Sequence, residues 1–329
     1  MSFAFALAKP LLHALDAEQA HRLTIQAMKF APQRGAGPIT STRLMRRVFG
    51  LDFPNPIGLA PGFDKNAEVP DAMLAQGFGF VEIGTVTPLP QAGNTKPRLF
   101  RLMEDGGVIN RMGFNNDGHA VVLQRLLARR TRGGIVGVNI GVNKNSTDRI
   151  NDYVKGIEVF EDVSSYITIN ISSPNTPGLR NLQGKDDLQR LLARANAVRK
   201  TKTPMLLKIS PDLADEDLQD VAQVCGGGAV DGVIISNTTL ARDGLSPNFA
   251  NEVGGLSGKP LLERSTRCLK TFYHMSGGKI PLIGVGGIHD AASAHAKLDA
   301  GASLVQLYTA LVYQGPTLVR EICNGLERA

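Results

Sequence analysis

The sequence predicts an α/β fold, a closed (β/α)8 TIM barrel preceded by a small helical extension. Short apolar segments rich in β-branched residues occur eight times, and most are followed by a segment with helical periodicity. Alternating strands and helices predict a parallel sheet, and eight such units predict a barrel. With 329 residues and 43% hydrophobic side chains, the chain can form one large core. We predict an N-terminal extension over residues 1–40 and the barrel over 41–329.

The predicted strands are spaced along the whole of the barrel region. They cover residues 56–60, 79–83, 135–139, 166–170, 205–209, 232–236, 281–285 and 303–308. The intervening helices are clearest at 186–200, where Leu188, Leu191 and Leu192 share one face, and at 215–225. In a barrel of this kind the loops after the strands form one rim, and that rim carries the chemistry.

The loop at 170–180 is the most informative of these. It reads Asn-Ile-Ser-Ser-Pro-Asn-Thr-Pro-Gly-Leu-Arg and places the Ser173 hydroxyl between the amides of Asn170 and Asn175. Its two prolines can neither continue the strand nor start a helix at once. A surface turn has the same residue types, but the other rim loops are also rich in Lys, Asn, Thr and Gly. We therefore interpret this loop as part of a reactive site.

Residues 1–50 hold most of the net positive charge. They contain seven Lys or Arg residues, Arg34 among them, and only two acidic ones, whereas the whole chain has a net charge of +6. Asp16 with Gln19 forms a plausible capping box, and Ala20, Leu23, Thr24, Ala27 and Met28 then share one helical face. Upstream, Pro10 could open a second short helix. The pattern indicates a basic amphipathic helical pair on an anionic membrane surface, or a helical cap at the base of the barrel.

Several classes of protein are disfavoured. Cys225, Cys268 and Cys323 lack metal-like spacing, which favours reduced thiols, and no His pattern indicates a metal site. The basic residues come without stacking aromatics, so we expect no nucleic-acid partner. No apolar stretch is long enough to span a membrane.

The segment between the second and third strands is too long for a simple connection. Residues 98–103 and 107–110 flank Asp105-Gly106, which predicts a β-hairpin. The following run, Asn110 to Asn116, is expected to fold back over the rim and bring another amide to the site.

Together these motifs resemble one known family. The runs at 83–88, 110–116, 170–180, 254–258 and 283–288 are similar to those of dihydroorotate dehydrogenase of the quinone-dependent class 2. The resemblance covers the whole chain, including the extension. Soluble class 1 members carry cysteine where this chain has Ser173, so serine here favours class 2.

The resemblance implies FMN as cofactor and oxidation of (S)-dihydroorotate to orotate in de novo pyrimidine (UMP) biosynthesis. The substrate loses a proton to a base and a hydride to flavin N5, and the resemblance makes Ser173 the catalytic base. Amides match the alternating donors and acceptors of the substrate ring. The implied substrate-binding residues are Lys65, Asn110, Arg111, Met112, Gly113, Phe114, Asn170, Asn175, Asn237 and Thr238.

The implied cofactor contacts come from most of the rim loops. Lys208 would stabilise reduced flavin, and glycines from the last two loops, with Gly286 beside Gly287, would hold the phosphate. The implied FMN-binding residues are Pro61, Gly62, Phe63, Asp64, Lys65, Thr85, Asn139, Asn170, Lys208, Ser236, Gly258, Gly287, Tyr308 and Thr309.

The electron acceptor implied by the resemblance is a membrane quinone, contacted by His21, Arg101 and Tyr308. We expect a monomer bound peripherally to the cytoplasmic side of a bacterial inner membrane, because neither a transit segment nor a membrane span is found. Three alternatives stay open: a soluble FMN enzyme using fumarate or NAD, a lyase with Lys208 as Schiff-base amine, and a silent membrane scaffold.

Overall fold

A computed structural model describes residues 3–30, 37–246, 249 and 251–328. Eight parallel strands close into a barrel, as the sequence predicts, and barrel strands that follow one another along the chain lie side by side. They are β3 (Ile57–Leu59), β4 (Phe80–Val86), β7 (Ile135–Ile140), β8 (Tyr166–Asn170), β9 (Met205–Ile209), β10 (Gly232–Ile235), β12 (Leu282–Val285) and β13 (Leu304–Leu307).

Side chains alternate between the inside and the outside of the barrel. Phe80, Tyr166 and Leu206 belong to a cluster within the barrel, whereas their neighbours Val81 and Ile167 pack in the core between the strands and the helices. Both faces of each strand are therefore covered, which is why these strands read as nearly continuous apolar runs.

Helices surround the barrel and bury one face each. The two helices that the periodicity indicates most clearly are confirmed, as α6 (Lys185–Val198) and α7 (Asp215–Val224). The other helices between or after barrel strands are α3 (Pro70–Ala75), α4 (Gly118–Ala128), α5 (Arg149–Phe160), α8 (Leu262–Met275), α9 (Ala291–Asp299), α10 (Thr309–Gln314) and α11 (Leu318–Arg328).

A hairpin that the sequence analysis did not identify closes the base of the barrel. It consists of β1 (Arg46–Val48) and β2 (Leu51–Phe53), and the Phe53 ring meets the Phe80 ring edge-on at 5.1 Å. Gly58 makes room for this packing, because a Cβ there would lie 2.3 Å from the Phe80 ring. The N-terminal helices instead line a cavity at the opposite end of the barrel, so the alternative in which they cap the base is wrong.

The N-terminal helices are α1 (Phe3–Ala14) and α2 (Ala17–Phe30). Asp16 begins α2 by accepting hydrogen bonds from the backbone amides of Glu18 and Gln19 at 3.1 and 3.0 Å. Pro10 lies inside α1 and does not open a new helix, which corrects that prediction. Arg34 lies outside the described residues. Among the helices described, none combines the length and apolar character that crossing a membrane requires.

A separate three-stranded antiparallel sheet lies above the rim. The hairpin predicted at Asp105-Gly106 is confirmed as β5 (Leu99–Leu102) and β6 (Gly107–Asn110). A third strand, β11 (Gly255–Gly258), pairs with β6 and was not predicted. Leu102, Ile109 and Leu256 form the buried core of this sheet.

Candidate functional site

A cavity of about 610 Å³ lies at the carboxyl ends of the barrel strands. Rim loops and the three-stranded sheet enclose one part of it, and α1 and α2 line the other. Most side chains that the sequence analysis singled out meet here. Those lining the cavity are His21, Pro61, Gly62, Phe63, Lys65, Thr85, Arg101, Asn110, Met112, Gly113, Phe114, Asn170, Ser173, Asn175, Lys208, Ser236, Asn237, Thr238, Gly258, Gly286, Gly287, Tyr308 and Thr309.

Ser173 lies in the segment after β8, residues 171–178, which we call the Ser173 loop. The side chain is buried and faces the cavity. Its Oγ accepts a hydrogen bond from the backbone amide of Asn175 at 3.2 Å. This donor leaves the hydroxyl proton free and stabilises negative charge on the oxygen.

The amide side chains of the rim are bonded to one another. Asn170 Oδ1 accepts from the Ser172 hydroxyl at 2.8 Å and from Asn237 Nδ2 at 3.3 Å, while Asn175 Nδ2 donates to Asn110 Oδ1 at 3.3 Å. The amides therefore form two hydrogen-bonded pairs, Asn170 with Asn237 and Asn110 with Asn175, and within each pair the bond fixes the orientation of the side chains.

Two lysines bring positive charge to the cavity. Lys208 extends from β9 and is buried, and its ammonium makes no hydrogen bond or ion pair with any residue described. Burial lowers the pKa of Lys208, while the Glu82 carboxylate opposes that shift. For Lys65, burial and then the positive charge of Arg98 lower the pKa to about 8. An unpaired buried cation facing a cavity is suited to an anionic ligand.

Glu82 lies inside the barrel, behind the cavity wall. Its carboxylate is fully buried and accepts hydrogen bonds from Asn139 at 2.8 Å, Gln306 at 2.7 Å and Tyr166 at 3.0 Å. The carboxylate therefore fixes the orientation of the Asn139 amide. Asn139 in turn accepts from Thr85, which lines the cavity, at 2.5 Å.

Three predicted site residues do not present their side chains to the cavity. The Asp64 carboxylate accepts from the backbone amides of Asn66, Glu68 and Val69 and so caps its own turn. Arg111 turns outward to pair with Glu252 and covers the Phe100 ring at 4.6 Å. Asn139 is enclosed by its neighbours within the barrel, as described above. In each case a hydrogen-bond or ion-pair partner outside the cavity holds the side chain in its orientation.

Glycines form the wall at the end of the site where β12 and β13 finish. Gly258, Gly286 and Gly287 have φ values of 90°, 109° and 83°, a region that favours glycine. A Cβ at position 287 would lie 2.3 Å from Leu262 Cα. Nearby, Thr309 donates to the Ser257 hydroxyl at 2.9 Å. Glycine at positions 286 and 287 thus lets this backbone pack directly against the start of α8.

His21, Phe63 and Tyr308 meet where the rim adjoins α2. The rings of His21 and Phe63 pack edge-on at 5.3 Å, and the Tyr308 hydroxyl lies 3.3 Å from His21 Nδ1. Burial, then the charge of Lys65, lower the pKa of His21 to about 4, so the imidazole is neutral at pH 7. Arg101 donates to the carbonyls of Leu12 and Leu15, the former at 2.8 Å, and holds the end of α1.

Several residues that line the cavity do not belong to the predicted site. Gln306 is an inward residue of β13, and its Oε1 has no hydrogen-bond partner among the described residues. A glutamine within an otherwise apolar strand was the available signal. Many of the other missed residues are apolar and come from the helical part of the cavity, among them Phe5, Leu12, Leu311, Val312 and Pro316.

Comparisons with known proteins agree on one family. A profile of the dihydroorotate dehydrogenase family matches residues 43–329. The dihydroorotate dehydrogenase (quinone) of Parvibaculum lavamentivorans is 58% identical over 326 residues, covering 98% of this chain and 93% of the relative. That of Rhodopseudomonas palustris strain HaA2 is 57% identical over 325 residues, with 96% and 89% covered.

Solved structures show the same relationship. The crystal structure of DHODH in complex with ferulenol from Eimeria tenella has a TM-score of 0.90 and 36% identity, covering 96% of this chain and 93% of that one. The ligand-free DHODH from the same organism also has a TM-score of 0.90, with 38% identity and 94% of each chain covered. The barrel, the rim loops and these matches place the chain in the dihydroorotate dehydrogenase (quinone) family, whose members are oxidoreductases.

Proposed function

We propose that this protein oxidises (S)-dihydroorotate to orotate in pyrimidine biosynthesis, with FMN as cofactor and a membrane quinone as acceptor. Membership in the family implies the substrate and the reaction. The arrangement of groups within the cavity also supports the proposal. The Ser173 hydroxyl, the wall of rim amides and two lysines share one cavity with the apolar helical region around His21. A polar reaction site thus adjoins a place for an apolar acceptor.

The chemistry of the cavity wall fits FMN. Lys208 is a buried cation without a hydrogen-bonding partner among the residues described. Gln306 Oε1 is a buried acceptor that likewise has no partner among them. A ring edge with both acceptors and donors would satisfy them. The glycine backbone at 286–287 and Thr309 would hold the phosphate, and Pro61, Gly62, Phe63, Lys65, Thr85 and Ser236 complete the contacts. When bound, FMN supplies the hydride acceptor.

The substrate is proposed to lie against the amide wall. Asn110 and Asn175 orient each other, as do Asn170 and Asn237, so their free donors and acceptors are positioned before a ligand binds. The Lys65 ammonium would attract the substrate carboxylate. Met112, Gly113, Phe114 and Thr238 would close around the ring.

Ser173 is proposed as the base that removes a proton from the substrate carbon. A serine hydroxyl is a weak base, so it depends on its surroundings. Here the amide of Asn175 donates to the oxygen, and burial of the Ser173 side chain limits its contact with bulk water. Both conditions favour transfer of the proton to Ser173 Oγ while the hydride leaves from the other side of the ring.

The quinone is proposed to enter between α1 and α2. The cavity there is lined by apolar residues, with the neutral His21 imidazole, Tyr308 and Arg101 as polar groups. On the outer surface of the helices Leu7, Leu11 and Phe30 are 67, 68 and 86% exposed. Such an apolar surface, on a helical pair in which Arg22 is also exposed, fits the headgroup region of an anionic bilayer.

The proposed organisation follows from this surface. Residues 1–40 would form the unit that binds membrane and quinone, and residues 41–329 the FMN-binding barrel. We propose that the protein acts as a monomer on the cytoplasmic side of the inner membrane, bound peripherally through α1 and α2.

The test is an anaerobic experiment with the purified protein. Dihydroorotate should bleach the visible flavin absorption, and decyl-ubiquinone should restore it. In Ser173→Ala the colour should remain, while flavin reduction slows by roughly two to four orders of magnitude. A protein that binds no FMN, or that keeps its colour with dihydroorotate, would contradict the proposed reaction. Full-speed reduction by Ser173→Ala would contradict the role of Ser173 alone.

A further inference from the structure

Arg180 joins three rim loops through its guanidinium. Its Nε donates to the Ser172 carbonyl, one Nη donates to Asp212 Oδ2 and the other to the Thr238 carbonyl, each at 3.0 Å. Ser172 belongs to the Ser173 loop, Asp212 follows β9, and Thr238 follows β10. A planar guanidinium with donors on three sides is suited to holding such a junction in one geometry.

The acceptor Asp212 is itself held in place. Its Oδ2 accepts from the backbone amide of Leu240 at 2.9 Å, and its Oδ1 accepts from the Thr239 hydroxyl. Thr239 exchanges backbone hydrogen bonds with Leu256 of β11 at 3.1 and 2.8 Å. The carboxylate thus connects Arg180 to the sheet above the rim. Because the side chains of Arg180 and Asp212 are only 21 and 19% exposed, solvent screens this pair less than a surface pair.

The contact with Ser172 matters because Ser173 follows it directly. The Ser172 hydroxyl donates to Asn170 and accepts from Asn237 at 2.9 Å, while its carbonyl accepts from Arg180. The carbonyl of Ser172 lies in the same peptide plane as the amide of Ser173. Fixing this carbonyl therefore restricts the direction in which the Ser173 side chain leaves the backbone.

The other end of the loop has its own contact, which does not reach Ser172. Arg149 donates to the Pro177 carbonyl at 2.7 Å. Among the charged side chains described, only that of Arg180 donates to the carbonyl next to Ser173.

We propose that Arg180 is a positioning residue, which with Asp212 holds the Ser173 loop against the cavity so that the Ser173 hydroxyl faces the substrate. This inference rests on the proposed role of Ser173 as the base. Arg180 itself is not among the residues that line the cavity, so it acts through Ser172. Small displacements of a reacting group are costly, and a shift of about 1 Å can slow a reaction by about 100-fold.

The experiment compares variants of the full-length, FMN-loaded protein. Arg180→Ala, Arg180→Lys and Asp212→Asn are measured beside wild type and Ser173→Ala. The matched control is Arg199→Ala, since Arg199 also makes three bonds, to Asn196, Thr203 and Asp231 at 3.1, 3.0 and 3.0 Å, on the loop that leads into β9 and not on the rim. Any general loss of stability should therefore be shared by the control.

Two readouts are taken from each variant. The first is the limiting rate of flavin reduction by dihydroorotate in a single turnover, which should fall by about 10- to 100-fold in Arg180→Ala. Arg180→Lys should lie between that variant and wild type, and added guanidinium ion should partly restore Arg180→Ala but not Ser173→Ala. The second is hydrogen exchange of the amides of Ser172, Ser173, Asn175 and Thr176 without substrate, which should become roughly tenfold faster in Arg180→Ala. FMN content and reoxidation by quinone should not change.

The proposal is overturned if Arg180→Ala reduces flavin as fast as Arg199→Ala, or if exchange in the loop is unchanged. It is also overturned if guanidinium restores no activity and Arg180→Lys is as slow as Ser173→Ala. The role of Ser173 is judged separately. If Ser173→Ala reduces flavin at the wild-type rate, the base assignment is wrong, whereas faster exchange in Arg180→Ala still supports the contact that holds the loop.

Discussion

The Glu18 carboxylate accepts two hydrogen bonds from the Arg98 guanidinium, at 3.0 and 2.8 Å, and thereby fastens α2 to the rim. Both residues are buried, with 8 and 6% exposure. Arg98 also donates to the carbonyls of Ala92 and Asn94 at 2.7 and 2.8 Å. The hydrogen bond from Arg98 is the main reason that the pKa of Glu18 is lowered, against an opposing effect of burial. The pair determines where the helical part of the cavity lies relative to the barrel.

We expect Glu18→Gln to weaken this attachment, because it leaves the buried Arg98 charge without a counter-ion. Removing one partner of a buried pair typically costs about 3–5 kcal/mol, and the remaining amide oxygen should reduce that cost. The melting temperature and the rate of quinone turnover should both fall, while the rate of flavin reduction by dihydroorotate should not change. Asp52→Asn is the control, since its pair with Arg47 is largely exposed and should contribute little.

The same pair predicts a pH dependence of stability. The folded pKa of Glu18 lies below its ordinary value, so the stabilisation is complete above that ordinary value, 4.5, and is lost as the pH falls through the folded pKa. Melting temperatures measured across acidic pH should therefore converge for wild type and Glu18→Gln. If the two melting temperatures differ by the same amount down to the lowest pH, ionised Glu18 is not the source of this stability.

Lys208→Met should weaken FMN binding, because methionine keeps much of the length and loses the charge. A hydrogen bond to a charged group contributes about 1.5–3 kcal/mol, which corresponds to roughly 10- to 100-fold in Kd. The measurement is a fluorescence titration of the apoprotein with FMN. Lys202→Met is the control, since Lys202 is exposed just before the same strand. Equal affinities for the two variants would exclude a contact between Lys208 and the flavin.

Orotate binding should weaken as the pH rises through about 8, the pKa of Lys65. The ammonium is protonated below that value and can attract the ligand carboxylate, whereas the neutral amine above it cannot. A bound anion raises the pKa, so the apparent Kd should increase by up to about tenfold per pH unit above 8. Spectral titrations of the holoenzyme with orotate measure this, and Lys65→Met should show no such slope. A wild-type Kd that is constant up to pH 9 or so would argue against a charged contact.

Membrane binding should depend on the exposed leucines of α1. Replacing Leu7 and Leu11 with glutamine removes apolar surface that the bilayer would bury, at about 1.5–3 kcal/mol for each side chain that is fully buried. Sedimentation with anionic vesicles should show at least about a tenfold loss of partitioning. Flavin reduction should be unaffected. Leu127→Gln on α4, where the leucine is 45% exposed, is the matched control and should bind vesicles as wild type does.

The barrel could be predicted because each of its units carries a local signal. An apolar strand followed by a helical period identifies a βα unit wherever it occurs, and eight units close only in one way. For the same reason the rim could be predicted: Asn170, Ser173, Lys208 and Ser236 all lie at or just after the carboxyl end of a strand. The family motifs then indicated which chemistry belongs to these residues.

Contacts between distant segments could not be read from local patterns. Arg111 lies in a rim motif, yet an ion pair with Glu252, which is 141 residues away in the chain, directs its side chain away from the cavity. The hairpin at the base and the strand at 255–258 are short, and they are stable only because they pack on the barrel and on another hairpin.

The sequence by itself determined the order of the units, the rim on which the reactive residues lie and the family. Only the tertiary structure decided that α1 and α2 lie at the rim and not at the base, and that Arg180 connects Ser172 to Asp212. The partners in these contacts are 80 residues apart for Glu18 and Arg98, and 32 for Arg180 and Asp212. Periodicity and turn chemistry act over a few residues, whereas the pairing of a buried charge depends on which groups the closed barrel brings together.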